Sequence, residues 1–497
     1  CEGCGDCGVQ SNCVSLLPLE TPLGRKRQID QSSCNKDFSC VNGFCPSFAT
    51  VKGGQLRRPV TQDITVPDLP LPRLPAIHGT HNVVITGVGG TGVVTIGALL
   101  AMAAHLDGKA AGVMEMAGLA QKGGAVHIHC RIGETPEDIS AIRVASGECH
   151  TLIGGDLVVS AQGSTLGLMA PAGAAVVNNH EIITGDFTRD TGFRIPYAEL
   201  ELAIAARLNT RAALMNATKL AENALGDTVY ANMILLGATF QHGLLPLSEA
   251  ALLEAIALNG AKITQNQQAF ALGRWSVLDP EIATQFQRQK PVNLDGENAR
   301  LANLIAYGSG RSERYAQMRT QLANAPLAAQ VLESYHKVLT YKDEYEVARL
   351  LGETKERVAE QFEGSFEISY HLAPPLLSRM GPNGRPQKRQ FGAWFDRASR
   401  GLARLKFFRE TPLDIFGYTA ERRMERQLIA DFEALVARMQ REYEPKHHDI
   451  WLELIGLPQH ILGFGPVKLA NAQAMAKRRT ELLAAIDQGH QSAQAAA

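Results

Sequence analysis

The sequence predicts a multidomain protein of α/β plus α class, in which a small cysteine-rich module precedes a doubly wound α/β domain and a mostly helical C-terminal domain. Three observations predict this order. Seven of the nine cysteines lie within the first 45 residues, a β-branched run leads into a glycine-rich turn, and helix-type patterns dominate from Tyr197 onward. A chain of 497 residues is also too long for one ordinary domain.

Composition and charge exclude several function classes. Hydrophobic residues make up 45% and charged residues 20% of the chain, as in an ordinary globular protein. A net charge of −1 argues against non-specific binding of nucleic acid. The nearly uncharged runs reach about half of the ~20 residues that span a bilayer, so no membrane association is predicted. The chain lacks an initiator Met and opens on a candidate ligand, so we expect it to be the C-terminal part of a longer protein.

The N-terminal cysteines predict an iron–sulfur segment. Bacterial ferredoxins use C-x2-C-x2-C-x3-C-P twice, and the fourth cysteine of each half crosses to the other cluster. By that rule Cys1, Cys4, Cys7 and Cys45, which precedes a proline, complete one [4Fe–4S] site. A second cluster is one cysteine short, which predicts a three-iron cluster or a non-cysteine ligand such as Asp37. The cysteines left for it are Cys13, Cys34 and Cys40.

Two alternatives to a cluster stay open for these cysteines. A structural zinc site needs only a pair such as Cys1-x-x-Cys4 with two further ligands, and disulfides are the other option. Cysteines concentrated at one end of the chain are typical of metal or cluster ligation in a reducing cytoplasm, because secreted proteins spread their disulfides through the fold. The sequence therefore predicts a cytoplasmic protein.

A glycine-rich turn follows the first predicted buried strand, at residues 81–86, and precedes an apolar helix at 93–102. Strand, G-x-G-x-x-G and helix form the dinucleotide-binding context, in which the helix N-terminus binds a phosphate. Glu115 lies near the place of a ribose-binding acid, so the turn alone favours NAD or FAD. A sheet that keeps the turn only for packing is the alternative. The candidate glycines are Gly87, Gly89, Gly90 and Gly92.

The following sequence changes that interpretation. Residues 125–132, 157–160 and 174–178 predict further strands, and a second glycine cluster, Gly118-Leu-Ala-Gln-Lys-Gly-Gly124, precedes the first of them. A strand followed by G-x-G-G-x-G, and about 30 residues later by this cluster, resembles the γ domain of 2-oxoacid:ferredoxin oxidoreductases. Gln121, Lys122, Gly123 and Gly124 are candidates for a loop that faces the active centre or coenzyme A.

The resemblance extends over essentially the whole chain. The cysteine segment, the γ-like domain and the helical tail are together similar to the C-terminal half of fused indolepyruvate ferredoxin oxidoreductases. Segments that carry this resemblance are 27–37, 184–188, 341–346, 411–423 and 463–468. The predicted organisation is an iron–sulfur segment at 1–54, a Pro-rich semi-rigid linker at 55–78, the γ-type domain at 79–275 and the helical domain at 296–490.

The resemblance implies an activity. Such enzymes decarboxylate an aryl-2-oxoacid on thiamine diphosphate with Mg²⁺, transfer the acyl unit to coenzyme A, and pass electrons through iron–sulfur clusters to ferredoxin. It implies that the γ-type domain does not bind nicotinamide, that thiamine diphosphate binds before Cys1, and that the protein is a homo-oligomer. No catalytic residue is assigned, and which 2-oxoacid is used stays open. The alternatives are an iron–sulfur protein with an NAD(P)- or flavin-binding domain, and a non-enzymatic assembly subunit that holds zinc.

Several local patterns remain ambiguous. Gly155-Asp156 with Asn178-Asn179 imitates a thiamine diphosphate motif, but Leu157 stands where the motif needs glycine, so we expect no thiamine binding there. His127 and His129 are predicted to lie on one face of a strand. They are either metal ligands or residues of an exposed face or a hydrogen-bonded edge. The basic segment 379–426 is a candidate surface for ferredoxin, for coenzyme A phosphates or for another subunit, or else a solvated helix face.

Two helices are predicted in the second half from their local patterns. Residues 247–256 carry Ser248 as N-cap and acidic residues in the first turn. A second helix, ended by Pro445, carries an apolar stripe that predicts a core-facing side. The stripe consists of Met424, Leu428, Phe432, Leu435 and Met439.

Overall fold

The computed structural model describes residues 1–13, 15–31, 34–57, 64–89, 92–117, 124–182, 193–286, 296–308, 310–374, 378–381 and 384–495. The chain forms two compact units. The first contains Cys1–Arg57 and Pro291–Ala497, and the second contains Arg58–Lys290. The N-terminal cysteine segment therefore belongs to the same unit as the helical C-terminal region. Among the helices that the structure describes, none has the length and apolar character needed to cross a membrane.

The first unit begins with short elements joined by turns. In chain order they are α1 (Asp6–Ser11), β1 (Leu16–Leu19), β2 (Lys26–Ile29), a 3-10 turn (Ser39–Asn42), β3 (Ala49–Lys52) and β4 (Gln55–Leu56). Strands β1 and β2 form an antiparallel hairpin. Few residues of this segment are both apolar and buried, and Cys7 and Leu16 are among them. Local burial therefore contributes little to its stability.

The second unit is built on one mixed sheet. Its elements are β5 (Thr80–Val88), α2 (Val94–Leu106), β6 (Ala110–Ala117), β7 (Ala125–Gly133), β8 (Cys149–Gly154), α3 (Leu157–Ser160), α4 (Gly163–Leu166), β9 (Met169–Asn178), α5 (Tyr197–Leu208), β10 (Ala212–Met215), α6 (Ala217–Leu225), α7 (Ala231–Gln241), α8 (Glu249–Leu258), α9 (Ile263–Leu278) and α10 (Ile282–Gln285), with short 3-10 turns at Pro136–Asp138, Asn209–Arg211 and Thr228–Tyr230.

The sheet of the second unit has the order β10-β9-β8-β5-β7-β6. Strands β5, β8, β9 and β10 are parallel, and β7 is antiparallel to both of its neighbours. Val83 and Ile85 of β5 face a core built with α2 and α6–α9, whereas Val84 faces a core built with α3 and α5. Both faces of β5 are thus buried, which explains its continuous apolar run. The predicted α/β class is confirmed, as are the strands expected at 81–86, 125–132 and 174–178.

The strand predicted at residues 157–160 is wrong, because these residues form helix α3. Asp156 precedes them with extended backbone, and its side chain accepts a hydrogen bond from the backbone N–H of Val159 at 2.8 Å. This N-cap starts a helix where the apolar run alone fits either structure. The strand of this region is β8, which ends at Gly154, three positions before Leu157.

The remainder of the first unit is mostly helical. Its elements are α11 (Gly296–Tyr307), α12 (Arg311–Gln321), α13 (Ala328–Leu339), α14 (Glu344–Leu351), α15 (Thr354–Gln361), β11 (Phe362–Glu363), β12 (Glu367–Leu372), β13 (Arg389–Phe391), α16 (Phe395–Arg404), α17 (Ala420–Glu442), α18 (His448–Gly456) and α19 (Gly465–Ala495), with 3-10 turns at Leu405–Phe408, Pro445–His447 and Leu457–His460.

Two strand pairs connect the ends of the first unit. β12 pairs antiparallel with β3 and with β13, and β11 pairs antiparallel with β4. Hydrogen bonds of the sheet therefore link the chain directly after the cysteines to the helical region. Ends of the chain more than 300 residues apart thus form one folding unit.

Both helix predictions in the second half are confirmed. The Ser248 hydroxyl accepts a hydrogen bond from the N–H of Ala251 at 3.2 Å, at the start of α8. Of the predicted stripe, Phe432, Leu435 and Met439 of α17 are buried in the core of the first unit, whereas Met424 and Leu428 are half-buried and lie outside it. There the ring of Phe432 stacks against Tyr335 of α13.

Parts of the predicted linker pack against structured neighbours. Gln55–Leu56 is strand β4 of the first unit. In the second unit the carbonyl oxygen of Pro70 accepts hydrogen bonds from Arg274 and Gln241, at 3.1 Å and 3.0 Å. Residues 58–63 lie outside the described residues. The linker boundaries and its spacer role stay predictions.

A buried histidine joins β5 to the loop after α7. Nε2 of His81 lies 3.0 Å from the carbonyl oxygen of Leu244 and 3.1 Å from the hydroxyl of Thr151. The carbonyl accepts only, so Nε2 carries the proton of a neutral ring. Burial lowers the pKa of His81 to about 4, and the nearby His150 adds to the decrease.

This histidine predicts acid sensitivity of the second unit. Because the pKa of His81 is lowered in the fold, the unfolded chain binds more protons between about pH 6.5 and pH 4, so the free energy of unfolding falls as the pH falls through that window. The full effect is on the order of 3 kcal/mol. Urea unfolding at about pH 7 and about pH 5 should show a weaker pH dependence for His81→Gln than for the wild type. His78→Gln, an exposed control, should keep the wild-type dependence, and an unchanged dependence in His81→Gln would contradict the assignment.

Candidate functional site

Four cysteines line one cavity in the first unit. Cys1, Cys4 and Cys7 come from the N-terminal loop and α1, and Cys45 comes from the turn before β3. The cavity has a volume of about 320 Å³, and Arg27 of β2 also lines it. These are the same four thiols that the ferredoxin crossing rule assigns to one cluster. The fold thus brings the predicted ligand set together.

A glycine lets the two cysteine loops approach each other. A Cβ atom added to Gly43 would lie 2.6 Å from the Cα of Cys7 and 2.8 Å from its backbone nitrogen. Real Cβ atoms do not approach backbone so closely, so a side chain at Gly43 would push the two loops apart. The segment carrying Cys45 can therefore pack on α1 only with glycine at this position.

Asp6 fastens the same two loops through hydrogen bonds. Its carboxylate accepts the backbone N–H of Phe44 at 2.6 Å. The guanidinium of Arg385 donates to the same carboxylate, with Nη1 3.0 Å from each oxygen. Asp6 lies between Cys4 and Cys7 in sequence, and Phe44 precedes Cys45, so one side chain positions both ligand-bearing loops.

Glu2, between Cys1 and Cys4, is the second buried carboxylate of this segment. It forms ion pairs with Lys337 and Lys342 from the helical region. The ammonium group of Lys342 also donates to the carbonyl oxygen of Cys1 at 3.3 Å. Burial alone would raise the pKa of Glu2, but the surrounding lysines hold it well below its usual range. Glu2 is therefore ionised in the folded protein.

Two thiols of this cavity, those of Cys4 and Cys7, are poor thiolates by themselves. Burial raises the pKa of Cys7 to about 12, and it raises the pKa of Cys4 as well. Cluster and metal ligands must be deprotonated, so a bound group has to supply positive charge to stabilise the thiolates. The guanidinium of Arg27 opposes the increase at Cys7. A cationic inorganic group matches this environment.

The other three cysteines of the segment also lie near one another. Burial raises the pKa of Cys40 to about 11, and the neighbouring Cys13 and Cys34 add to the increase. Asp37, the alternative ligand, accepts hydrogen bonds from the backbone N–H and the hydroxyl of Ser39, both at 2.9 Å. Its carboxylate thus takes part in the turn before the 3-10 element.

A single metal ion fits the segment less well. Across the ranges that the structure describes, no three His, Cys, Asp or Glu side chains converge on one metal position. Structural zinc sits at about 2.3 Å from each thiolate, which requires tightly converged sulfurs. Four cysteines around a cavity of about 320 Å³ suit a larger group. Zinc and a cluster both stay predictions for these thiols.

The basic segment 379–426 is only partly available to a partner. Arg385 is bound to Asp6, and Nζ of Lys388 donates to the carbonyl oxygen of Val41 at 2.8 Å. Both side chains contact the cysteine segment of their own unit, whereas Arg389 is exposed. The Arg385–Asp6 pair fits the alternative in which this segment pairs with acidic residues of the same chain, and docking of a partner on the segment stays a prediction.

The glycine turn of the second unit is held from two sides. The backbone N–H of Val88 donates to the carboxylate of Asp156 at 2.6 Å, and that of Gly89 donates to the carbonyl oxygen of Gly124 at 2.7 Å. Gly92 has φ +78°, and a Cβ on it would lie 2.9 Å from Nδ2 of Asn232. Gly89 of the first predicted cluster thus meets Gly124, the last residue of the second, and two amides of the turn already have partners within the protein.

Several of the predicted loop residues lie outside the described ranges. These are Gly90, Gln121, Lys122 and Gly123. Gly87 is the penultimate residue of β5 and pairs with Val126 of β7. The cofactor-binding role of both glycine clusters stays a prediction.

The strand order disfavours a dinucleotide site. In the dinucleotide-binding fold, the strand after the first helix pairs with the first strand, and an acidic residue near its end binds the ribose. Here β6, which carries Glu115, is separated from β5 by β7. Glu115 pairs in register with Ile128 of β7 instead. It therefore does not lie on the strand that a ribose-binding acid requires.

The residues that imitate a thiamine motif are engaged in the fold. Asp156 is fully buried and binds the amides of Val88 and Val159. Nδ2 of Asn178 donates to the carbonyl oxygen of Gly155 at 3.1 Å and to the hydroxyl of Thr218 at 2.8 Å. Neither side chain is free to hold a pyrophosphate or its Mg²⁺. These residues do not fit thiamine diphosphate.

The histidine pair of β7 is hydrogen-bonded to protein groups. Nε2 of His127 lies 3.0 Å from the hydroxyl of Thr165. Nδ1 of His129 accepts the backbone N–H of Val144 at 2.9 Å. Burial lowers the pKa of both rings, to about 4 for His129. The hydrogen-bonded alternative is the one that these contacts support.

Sequence reasoning missed the charged residues around the cysteines. Glu2 and Asp6 carry a local signal, since each stands between two candidate ligands in an otherwise polar stretch. Their partners Lys337, Lys342 and Arg385 carry none, because they are ordinary basic residues more than 330 positions away. Only the fold shows that they meet.

Comparisons with known proteins divide the chain in a similar way. Residues 82–275 match a family described as pyruvate ferredoxin/flavodoxin oxidoreductase. Residues 298–481 match a family of unknown function, DUF6537. The first match lies within the second unit, and the other lies in the helical part of the first unit.

Curated relatives and a solved structure resemble the central part of the chain. Indolepyruvate oxidoreductase subunit IorB of Thermococcus kodakarensis is 29% identical over 39% of this chain and 94% of its own. Its counterpart from Archaeoglobus fulgidus is 27% identical over 39% and 92%. The γ subunit of a keto/oxoacid ferredoxin oxidoreductase from Geobacter sulfurreducens aligns with 22% identity and a TM-score of 0.29, over 40% of this chain and 98% of its own.

The buried Asp156 predicts a stability effect in the second unit. Asp156→Ala removes the N-cap of α3 and the acceptor for the Val88 amide, so the free energy of unfolding should fall by about 1 to 3 kcal/mol. Urea unfolding of the full chain measures this effect. Asp68→Ala, at an exposed position, is the matched control and should change it little. Equal stability of the two variants would contradict the capping role.

Proposed function

We propose, from the premise that this chain belongs to the 2-oxoacid:ferredoxin oxidoreductase family, that it passes electrons from the oxidation of a 2-oxoacid to ferredoxin. The observation that carries the proposal is the cavity lined by Cys1, Cys4, Cys7 and Cys45. A ligand set of four thiols in this spacing suits a [4Fe–4S] cluster. A second cluster at Cys13, Cys34 and Cys40 is part of the proposal.

The proposed reaction is the oxidative decarboxylation of an aryl-2-oxoacid such as indolepyruvate. The bond between the carbonyl carbon and the carboxylate breaks and CO₂ leaves. The carbonyl carbon forms a new bond to the sulfur of coenzyme A, which loses its proton. Two electrons leave the substrate in this step, and two one-electron ferredoxins accept them, so atoms and charge balance.

The residues of this chain hold and shield the electron carrier. The cluster, when bound, supplies one-electron transfer. The four cysteine thiolates would ligate it, and Gly43 permits the close approach of their two loops. Asp6 fixes the loop of Cys45 through the Phe44 amide. The guanidinium of Arg27, on the cavity wall, would offset the negative charge of the thiolates.

The other cofactors of the proposed reaction are those that the family resemblance implies. Thiamine diphosphate and Mg²⁺ are held by residues other than Asp156 and Asn178, whose polar groups are engaged in the fold. Coenzyme A is proposed to bind through Gln121, Lys122, Gly123 and Gly124, because Lys122 offers a cation for its phosphates. Cytoplasmic location and a homo-oligomeric state complete the proposal, and neither is tested by the fold.

Cysteine variants test the proposed cluster site. The full chain, purified or reconstituted without oxygen, should contain at least about four iron and about four acid-labile sulfide, and it should give an electron paramagnetic resonance signal after reduction. Cys4→Ala and Cys45→Ala should each lose one cluster's content and its signal, because both remove a ligand of the same site. Cys149→Ala replaces a buried cysteine of the sheet in the second unit and should keep both.

Two outcomes would contradict this proposal. Stoichiometric zinc without labile sulfide would assign the cysteines to a structural metal site. Bleaching of the cluster by NADH or NADPH in the absence of a 2-oxoacid would favour the iron–sulfur protein with a nucleotide-binding domain. Reduction of ferredoxin that requires both a 2-oxoacid and coenzyme A, in a preparation supplied with thiamine diphosphate and any missing part of the enzyme, is the expected result.

A further inference from the structure

The region that matches a family of unknown function contacts the proposed cluster site at several points. Lys337 and Lys342 pair with Glu2, and Lys342 also donates to the carbonyl oxygen of Cys1 at 3.3 Å. Lys468 adds to the positive field at Glu2. All three lysines lie within residues 298–481. The N-terminal loop is thus held by charges from the helical region.

A second set of contacts comes from the same region. Arg385 binds Asp6 with Nη1 3.0 Å from both carboxylate oxygens, and Lys388 donates to Val41. Strand β12 pairs with β3, which directly follows the turn of Cys45. The contacts therefore reach both loops that carry the four thiols.

Backbone approach adds a third set. A Cβ on Gly463 would lie 3.4 Å from the Cβ of Cys4. A Cβ on Gly465 would collide with the ring of Phe44. Both glycines have positive φ, of +104° and +50°. The turn before α19 is thus shaped to lie against the cysteine segment.

Among the described residues, basic side chains outnumber acidic ones around this site. The carboxylates include Glu2, Asp6, Glu421, which accepts the N–H of Gly465, and, behind Lys468, Glu425. The cations are Lys26, Arg27, Lys337, Lys342, Arg385, Lys388 and Lys468. Reduction adds one negative charge to a cluster, and nearby positive charge stabilises the reduced form. Because Glu2 and its lysine partners are largely buried, salt screens them weakly.

We propose that the region 298–481 is an electrostatic cradle for the cluster site, in which Lys337 and Lys342 raise the midpoint potential of the cluster ligated by Cys1, Cys4, Cys7 and Cys45. This inference rests on the proposed function, because it requires a cluster in the cavity. The helical region, which matches a family of unknown function, would then position the loops that carry the cysteines and set how readily the cluster is reduced.

Charge variants with opposite expected signs test the cradle. Lys337→Gln/Lys342→Gln should lower the midpoint potential, with a shift of about tenfold in the one-electron equilibrium, or ~59 mV. Glu2→Gln removes a negative charge from the same network and should raise it. Redox titration of the full chain, followed by electron paramagnetic resonance, measures both shifts. A misfolded site would not produce shifts of opposite sign.

Control variants separate charge from structure. Lys342→Arg keeps the charge and should keep the wild-type potential. Lys477→Gln removes an exposed lysine from α19 and should leave the potential unchanged. Arg385→Gln provides an independent test at the second carboxylate, and it should lower the potential. If the lysine double variant loses its iron, Glu2→Gln and Arg385→Gln carry the test by the signs of their shifts.

The outcomes distinguish this inference from the function on which it rests. A wild-type chain without iron and labile sulfide would overturn the proposed function. A chain that holds its cluster, but whose potential stays the same or moves in one direction for all charge variants, would overturn the cradle alone. Opposite shifts with an unchanged Lys477→Gln control are the result expected.

Discussion

The conformation of the cysteine segment depends on basic side chains that neutralise two buried carboxylates. Glu2 and Asp6 are only 6% and 7% exposed, and a buried carboxylate is costly unless it is paired and hydrogen-bonded. Their partners Lys337, Lys342 and Arg385 lie 335, 340 and 379 positions away. The loop that carries the thiols can therefore reach its observed shape only when the helical region has folded around it.

This dependence explains why the cysteine segment belongs to the first unit although the chain runs through the whole second unit in between. The segment has too few buried apolar residues to form a core of its own, so long-range ion pairs and the β3–β12 pairing replace that core. A bound cluster would stabilise the segment further. Burial raises the pKa of Cys4 and Cys7, so their thiolates need the positive charge that a bound cluster would supply. Ligand binding and assembly of the unit are thereby coupled.

The sequence predicted what is encoded locally. The strand at 81–86, the Ser248 cap and helix α17 follow from periodicity and capping residues, and the four cysteines that line one cavity are those that their spacing predicts to lie together. It failed at Leu157–Ser160, where a buried apolar run fits either structure and the Asp156 cap decides. It left the role of the basic segment 379–426 open, because charge alone does not show that Arg385 meets Asp6 and that Lys388 meets the carbonyl oxygen of Val41. Long-range pairs of this kind leave no periodic signal.

The glycine turn of the second unit shows that one motif can serve either phosphate binding or close packing of the backbone. In a dinucleotide site, glycines free the backbone amides for a phosphate. Here the amides of Val88 and Gly89 bind Asp156 and Gly124, and the sheet order separates β6 from β5. Glycine at these positions instead permits close packing. The turn contacts Asn232 at Gly92, and a Cβ atom added to Gly155 would lie only 2.7 Å from Cγ1 of Val93. The motif therefore places the backbone of Gly89 against that of Gly124 at the end of β5, so a turn that is typical of phosphate binding serves packing within this sheet.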